Sequence, residues 1–180
     1  GKIDLQTPIT TYLSDYPKEN GDKITTHHLL THSSGIPNYT AFPDFFAAES
    51  RNPYTPDQFV KKFEDKELEF TPGEKFNYSN SGYFLLGVLI EKLSGKTYEE
   101  MLHEKIFTPL GMHDTGYDNH KDILKNRATG YEKNGTSFIN SAYLDMSIPY
   151  AAGSLYATVE DCIPQPYCLK NIWICSLHPT

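Results

Sequence analysis

Residues 81–93, Ser-Gly-Tyr-Phe-Leu-Leu-Gly-Val-Leu-Ile-Glu-Lys-Leu, place apolar side chains on nearly every face of a helix. Such a helix has to be covered on most sides, so the rest of the chain must wrap it. Gly95 supplies its stop, and Gly82 and Gly87 are expected to let neighbouring backbone come close. The approach to the helix is equally specific. A Thr71-Pro72-Gly73-Glu74 turn and an apolar anchor, Phe76, lead into a polar knot, Asn77-Tyr78-Ser79-Asn80-Ser81. Burying the helix fixes its entry, which holds the Tyr78 and Asn80 side chains at a defined place and angle. Groups held that way suit a general base and an amide-binding partner in acyl transfer. The plainer reading is that Tyr78 and Asn80 only cap the helix.

The segments on either side read as short helices and turns. Pro8 is expected as a first helical residue, with Ile9, Tyr12 and Leu13 forming an apolar face. Thr25 can cap a helix through His27, His28 and His32, with Gly35 as its left-handed stop and Pro37 forbidding resumption. His28 and His32 would then share a helical face, which invites a metal. No carboxylate sits where a zinc helix would need one, so histidines bonded to neighbouring backbone are the favoured expectation. Tyr39, Phe42, Phe45, Phe46 and Tyr54 make an aromatic connection that is either a cleft wall or packing.

Thr55-Pro56-Asp57-Gln58 is a capping box, opening a helix with Phe59, Val60 and Phe63 inward and Lys61, Lys62 and Glu64 outward. Thr97-x-x-Glu100 is a second box, for a helix from Tyr98 to Phe107 that Pro109-Leu110-Gly111-Met112 closes. Beyond Met112 short extended pieces alternate with turns, among them Asn134-Gly135. Thr158 should cap a last helix at Val159, which Pro164 and Pro166 cut short at a cost of about 3 kcal/mol each.

A formal charge of −7, with Lys and Arg scattered, argues against a nucleic-acid or anionic-membrane surface. No apolar run approaches the roughly 20 residues that span a bilayer, and no signal peptide is visible. Cys162, Cys168, Cys175 and Trp173 all fall in the last nineteen residues, which marks that tail as compositionally foreign. With His178 they could be called a zinc set, but no Cys-x-x-Cys pair is present. The expected organisation is a partial domain over residues 1–161 and an atypical tail over 162–180.

Several stretches together resemble the serine β-lactamase and penicillin-binding-protein superfamily. They are Ile24 to Pro37 with its His-Leu-Leu-Thr-His, Phe70 to Glu74 followed by Tyr78-Ser79-Asn80-Ser81, and Pro109-Leu110-Gly111-Met112. The nearest branch looks like class C β-lactamases, D-Ala-D-Ala carboxypeptidases and related esterases. The likeness runs from Gly1 to about Asp161. It implies an α+β, β-lactamase/transpeptidase-like fold, of which this chain holds mostly the helical part with an incomplete sheet.

The resemblance further implies a hydrolase that works through an acyl-serine on a small-molecule β-lactam, peptide or ester, without cofactor or metal, in the periplasm or secreted. Tyr78 matches the catalytic tyrosine of the family's Tyr-x-Asn, and Asn80 its substrate-binding asparagine, with Ser79 pointing away. A free phenol, pKa about 10, is a poor base at neutral pH, and a nearby ammonium brings it towards the working range. The Asn80 amide can accept from that ammonium and donate to a substrate carbonyl.

Two of the family's three motifs are absent. No Ser is followed three positions later by Lys: Ser14 meets Pro17, Ser79 meets Gly82 and Ser94 meets Thr97. Lys96-Thr97 runs into Tyr98 rather than Gly, no His has Gly two places on, and there is no Gly-x-Ser-x-Gly elbow. The expectation is therefore a piece of a longer gene, cut upstream of Gly1, with a reading-frame change near Cys162. Alone it should not be acylated. The alternative is a non-catalytic member that binds peptides or protein partners through the aromatic segment from Tyr39 to Tyr54.

Overall fold

Ile9 donates its N–H to the Ile24 carbonyl at 2.8 Å and Pro8 bridges to Thr25, tying the first residues to the histidine-rich segment. The structure is a computed structural model and describes residues 3–163. The zinc set and the atypical tail named above lie outside the described residues, apart from Cys162 and Ile163. Pro8 precedes a 3-10 turn, Ile9–Thr11, as its cap rather than opening a helix, because its ψ of 141° is extended. Two short helices follow, α1 (Lys18–Gly21) and α2 (Thr26–Leu30).

Thr25 caps α2 as expected. Its hydroxyl accepts from His28 N at 3.3 Å, and His28 Nδ1 accepts from Thr25 N at 3.2 Å, so a histidine takes the place usually held by Glu or Gln in a capping box. The helix stops earlier than its sequence suggests, at Leu30. His32, not Gly35, makes the first left-handed step, with φ 52°. His28 and His32 therefore share no helical face, and among the described residues no cluster of three metal-ligating side chains occurs. Gly35 is left-handed too, at φ 76°, but beyond the helix. A Cβ there would lie 2.4 Å from the Phe70 carbonyl oxygen, so the glycine serves a close backbone crossing.

Helix α3 (Pro56–Val60) starts at the expected box, with Thr55 and Gln58 exchanging both capping bonds. Phe59, Val60 and Phe63 turn inward as read, but Glu64 does not turn outward. It is 5% exposed, its carboxylate held by Lys61 at 2.6 Å and its carbonyl reached by Asn20 at 3.5 Å. An outward position on helical spacing was overruled because the chain leaves regular helix after Val60.

The central helix is α4 (Asn80–Ser94), ended by Gly95 at φ 73°. Phe84 and Leu85 are fully buried, and the rings of Phe59 and Tyr150 lie 4.9 and 4.8 Å from that of Phe84. The close approach at Gly87 comes from side chains rather than backbone. A Cβ there would meet Tyr150 at 2.4 Å and Ala151 at 2.5 Å. At Gly82 the nearest atom would be 3.7 Å away, an ordinary contact, so no close approach occurs there.

The next helical run is interrupted: α5 (Tyr98–Leu102), a π-turn over His103–Phe107, then α6 (Thr108–Leu110), with Gly111 closing it at φ 66°. Strands β1 (Gly116–Tyr117) and β4 (Leu155–Tyr156) pair antiparallel, as do β2 (Tyr131–Asn134) and β3 (Ser137–Asn140) around the two-residue turn Gly135-Thr136. Thr158 caps α7 (Val159–Cys162), and Ile163, before Pro164, is extended. The described part is thus an α+β arrangement: helices packed on α4, with two small two-stranded sheets.

Candidate active site

Between Phe70 and Ser79 the chain has no regular structure, so Tyr78 and Asn80 depend on what braces that loop. The brace is the segment just after α2. Glu69 N donates to Gly35 O, Gly73 N to Ser33 O and Asn77 N to His32 O, each at 2.8 Å. The loop is therefore laid along residues 32–35 by backbone bonds, and it meets α4 at a fixed angle.

Ser79 caps that helix. Its hydroxyl accepts from Gly82 N at 3.3 Å, and the residue is only 3% exposed. This separates the two readings of the knot, since neither Tyr78 nor Asn80 performs the capping. Their side chains meet each other instead: the Tyr78 hydroxyl donates to Asn80 Oδ1 at 2.9 Å. Tyr78 is 51% exposed and open to a small molecule.

Asn80 is oriented from its other end. Its Nδ2 donates to Asn38 Oδ1 at 3.2 Å, and the same oxygen accepts the Asn80 backbone N–H at 3.3 Å. One of the two amide hydrogens of Asn80 thus remains for another acceptor. Below it, the fully buried Ser81 hydroxyl donates to Pro37 O at 2.6 Å and accepts from Tyr39 N at 3.1 Å, fixing the 37–39 segment to the start of α4. Among the described residues no Lys or Arg bonds to Tyr78 or Asn80.

His32 packs beneath the pair. Its ring lies 4.5 Å from that of Tyr78 and 4.6 Å from that of Tyr83, with Phe76 edge-on at 5.7 Å. Its Nδ1 accepts the Ser79 N–H at 3.2 Å. Burial lowers the pKa of His32 from its ordinary value, and burial together with the neighbouring His27 does the same to His28. Sequence spacing brings Tyr78 and Asn80 together because they sit two apart. It misses Asn38 and His32, whose partners lie 42 and 47 positions away. The hints were the expectation that His28 and His32 bond to backbone, which left the partner unnamed, and the polar density of Thr31 to Asn38 directly after an apolar Leu29-Leu30.

The aromatic connection contributes a separate cavity of about 360 Å³. Tyr39, Phe42, Phe45 and Phe59 line it, with Glu49 and Lys62, which form an ion pair at 3.1 Å.

Comparison with known proteins places these features in a family. The Beta-lactamase family model matches residues 1–163. PbpX of Bacillus subtilis, which its name assigns to the penicillin-binding proteins, is 32% identical over 161 residues, covering 89% of this chain and 38% of PbpX. The teichoic acid D-alanine hydrolase of Staphylococcus aureus is 30% identical over 162 residues, again 89% of this chain and 38% of that protein. The solved D-stereospecific amidohydrolase from a Streptomyces species superposes with a TM-score of 0.79 at 30% identity, over 89% of this chain and 52% of that one. The chain therefore spans well under half the length of these curated relatives. With the fold neighbours and the match over residues 1–163 in agreement, the chain belongs to the beta-lactamase family.

Proposed function

We propose that the whole protein hydrolyses a D-amino-acyl ester or amide through an acyl-serine, with Tyr78 as general base and Asn80 as the group that holds the substrate carbonyl. The observation that supports this most is the Tyr78–Asn80 hydrogen bond at the mouth of α4, formed while Ser79 does the capping. The phenol oxygen is accessible, and the free amide hydrogen of Asn80 is a donor for an acyl oxygen. The Staphylococcus aureus protein is named for hydrolysis of D-alanine and the Streptomyces protein for D-stereospecific amide hydrolysis, and a D-amino-acyl group would serve both. Work on an envelope polymer would suit a periplasmic or secreted setting.

The nucleophile has to come from residues other than these 180, since no Ser-x-x-Lys occurs in them. A lysine of that motif would also supply the ammonium that makes Tyr78 a competent base. Incubating the 180-residue chain with a β-lactam or a fluorophosphonate should leave its intact mass unchanged. A stoichiometric adduct would overturn this assignment.

The decisive experiment is to read the encoding DNA on both sides. An in-frame Ser-x-x-Lys upstream of Gly1 is expected, and Tyr78→Phe in that longer enzyme should lower kcat by about 10²–10⁴. Continuous coding sequence without the motif would reject catalysis.

A second reading rests on the aromatic cavity, whose size and lining suit a peptide side chain in a non-catalytic relative. It requires binding without turnover in a longer protein that also lacks Ser-x-x-Lys.

A further inference from the structure

Among the described residues, the hydrogen bonds that fix the loop onto residues 32–35 run from backbone to backbone, except one. The His32 imidazole accepts the Ser79 amide through Nδ1, at the residue that lies between Tyr78 and Asn80. The ring is wedged between Tyr78 and Tyr83, the latter stacked within 19° of parallel. Its backbone sits at φ 52°, where the chain reverses after α2, a conformation that His and Asn adopt more readily than most residues.

We propose that His32 is the positioning residue of the Tyr78–Asn80 pair, holding Ser79 while its imidazole is neutral and releasing it on protonation. Its relevance to catalysis rests on the proposed role of that pair. The physical reason lies in the donor count. Neutral imidazole has one acceptor nitrogen, whereas imidazolium carries N–H on both. Protonation thus turns an N–H···N attraction into two N–H groups facing each other. Ser79 then has to move, and the phenol and the amide on either side move with it.

The titratable groups facing the ring are Tyr78 from the loop and Tyr83 from α4. Among the described residues no carboxylate pairs with His32 to stabilise the cation. The loss of water around the ring is the largest influence on it and lowers its pKa from 6.5. Release therefore falls on the acid side of that value.

The test is NMR on the 180-residue chain, following the Ser79 amide and the His32 imidazole between about pH 5 and 8. In the wild type the Ser79 resonance should shift with the same midpoint as His32, below 6.5. His32→Asn tolerates the left-handed backbone and offers a carbonyl oxygen that accepts at any pH, so Ser79 should stay at its bound position throughout. His32→Ala should give the released position at every pH. If His32→Ala does not fold, the first two titrations decide alone.

A Ser79 resonance that stays flat through the His32 titration, or that titrates unchanged in His32→Asn, would overturn the proposal. None of these readings needs turnover. A working latch in a longer enzyme whose activity survives Tyr78→Phe would reject the catalytic role of the pair and leave the latch standing.

Discussion

The Ser79 hydroxyl closes the first turn of α4 by accepting from Gly82, which leaves the phenol and the amide on either side without a capping duty. Ser79→Ala should cost about 1 kcal/mol of stability, read by thermal or denaturant unfolding, the usual cost of a lost N-cap. At Asn80 the constraint is Asn38, whose one oxygen receives both the backbone and the side-chain N–H. Asn38→Ala leaves those donors without that acceptor. In the proposed longer enzyme it should raise KM and lower kcat, with a stability loss of about 1 kcal/mol because Asn38 also caps the 3-10 turn Tyr39–Ala41 by accepting from Thr40 N. Steady-state kinetics beside a melting curve checks this. The two-apart spacing of Tyr78 and Asn80 was legible in the sequence. Asn38 was not, because a lone Asn after Pro37 looks like any turn residue until the fold carries α4 beside it.

At the scale of elements, local rules worked where the signal was local. Thr25, Thr55, Thr97 and Thr158 each cap the helix they precede, because a cap needs only a side chain that folds back two or three residues. The same rules failed where packing set the boundary. Sequence spacing carries the histidine helix through His32, yet it ends at Leu30, because residues 32–35 are claimed by backbone bonds from Glu69, Gly73 and Asn77. The Tyr98 helix, continuous to Phe107 on its spacing, instead widens into a π-turn over His103–Phe107. For α4 the all-round apolar pattern correctly implied a central, covered helix. Phe84→Ala should cost about 3–5 kcal/mol by denaturant unfolding, since the Phe84 ring touches Phe59, Phe63 and Tyr150 and the void cannot collapse easily.

Across the whole molecule the pH dependence of stability follows from groups whose folded pKa is lowered. For His28 and His32 the neutral form is favoured in the fold, so their contribution is complete above the unfolded value of about 6.5 and is lost as pH falls below it. Asp118 follows at lower pH. Burial pushes its carboxyl up, but Arg127 at 3.0 Å and the His120 N–H outweigh that and hold it below the usual carboxylate range. Two acid steps are therefore expected in the unfolding free energy, one beginning near pH 6.5 and one near pH 4. His32→Asn should reduce the first and leave the second. The apolar surface is the other molecular-scale property. Phe138 is 73% exposed, on a β2–β3 hairpin whose strand residues are all exposed, and Tyr131 of the paired strand is exposed too. Sedimentation of the 180-residue chain should show concentration-dependent association, reduced by Phe138→Ser.

By itself the sequence determined that a buried helix follows Tyr78 and Asn80, where most helices begin, and which family the chain resembles. The helix and its neighbours' starts rest on apolar periodicity and capping chemistry, which act within a few residues of chain, and the resemblance on the matching stretches between Ile24 and Met112. Only the tertiary structure decided that Ser79 is the cap, that Glu64 is buried, and that Gly35 serves a backbone crossing. The same holds for Asn38 and His32, which orient the pair from more than forty positions away. Those outcomes depend on which distant backbone satisfies a given N–H or carbonyl. No local pattern encodes that choice, because it is made when the loop from Phe70 to Ser79 is laid along residues 32–35.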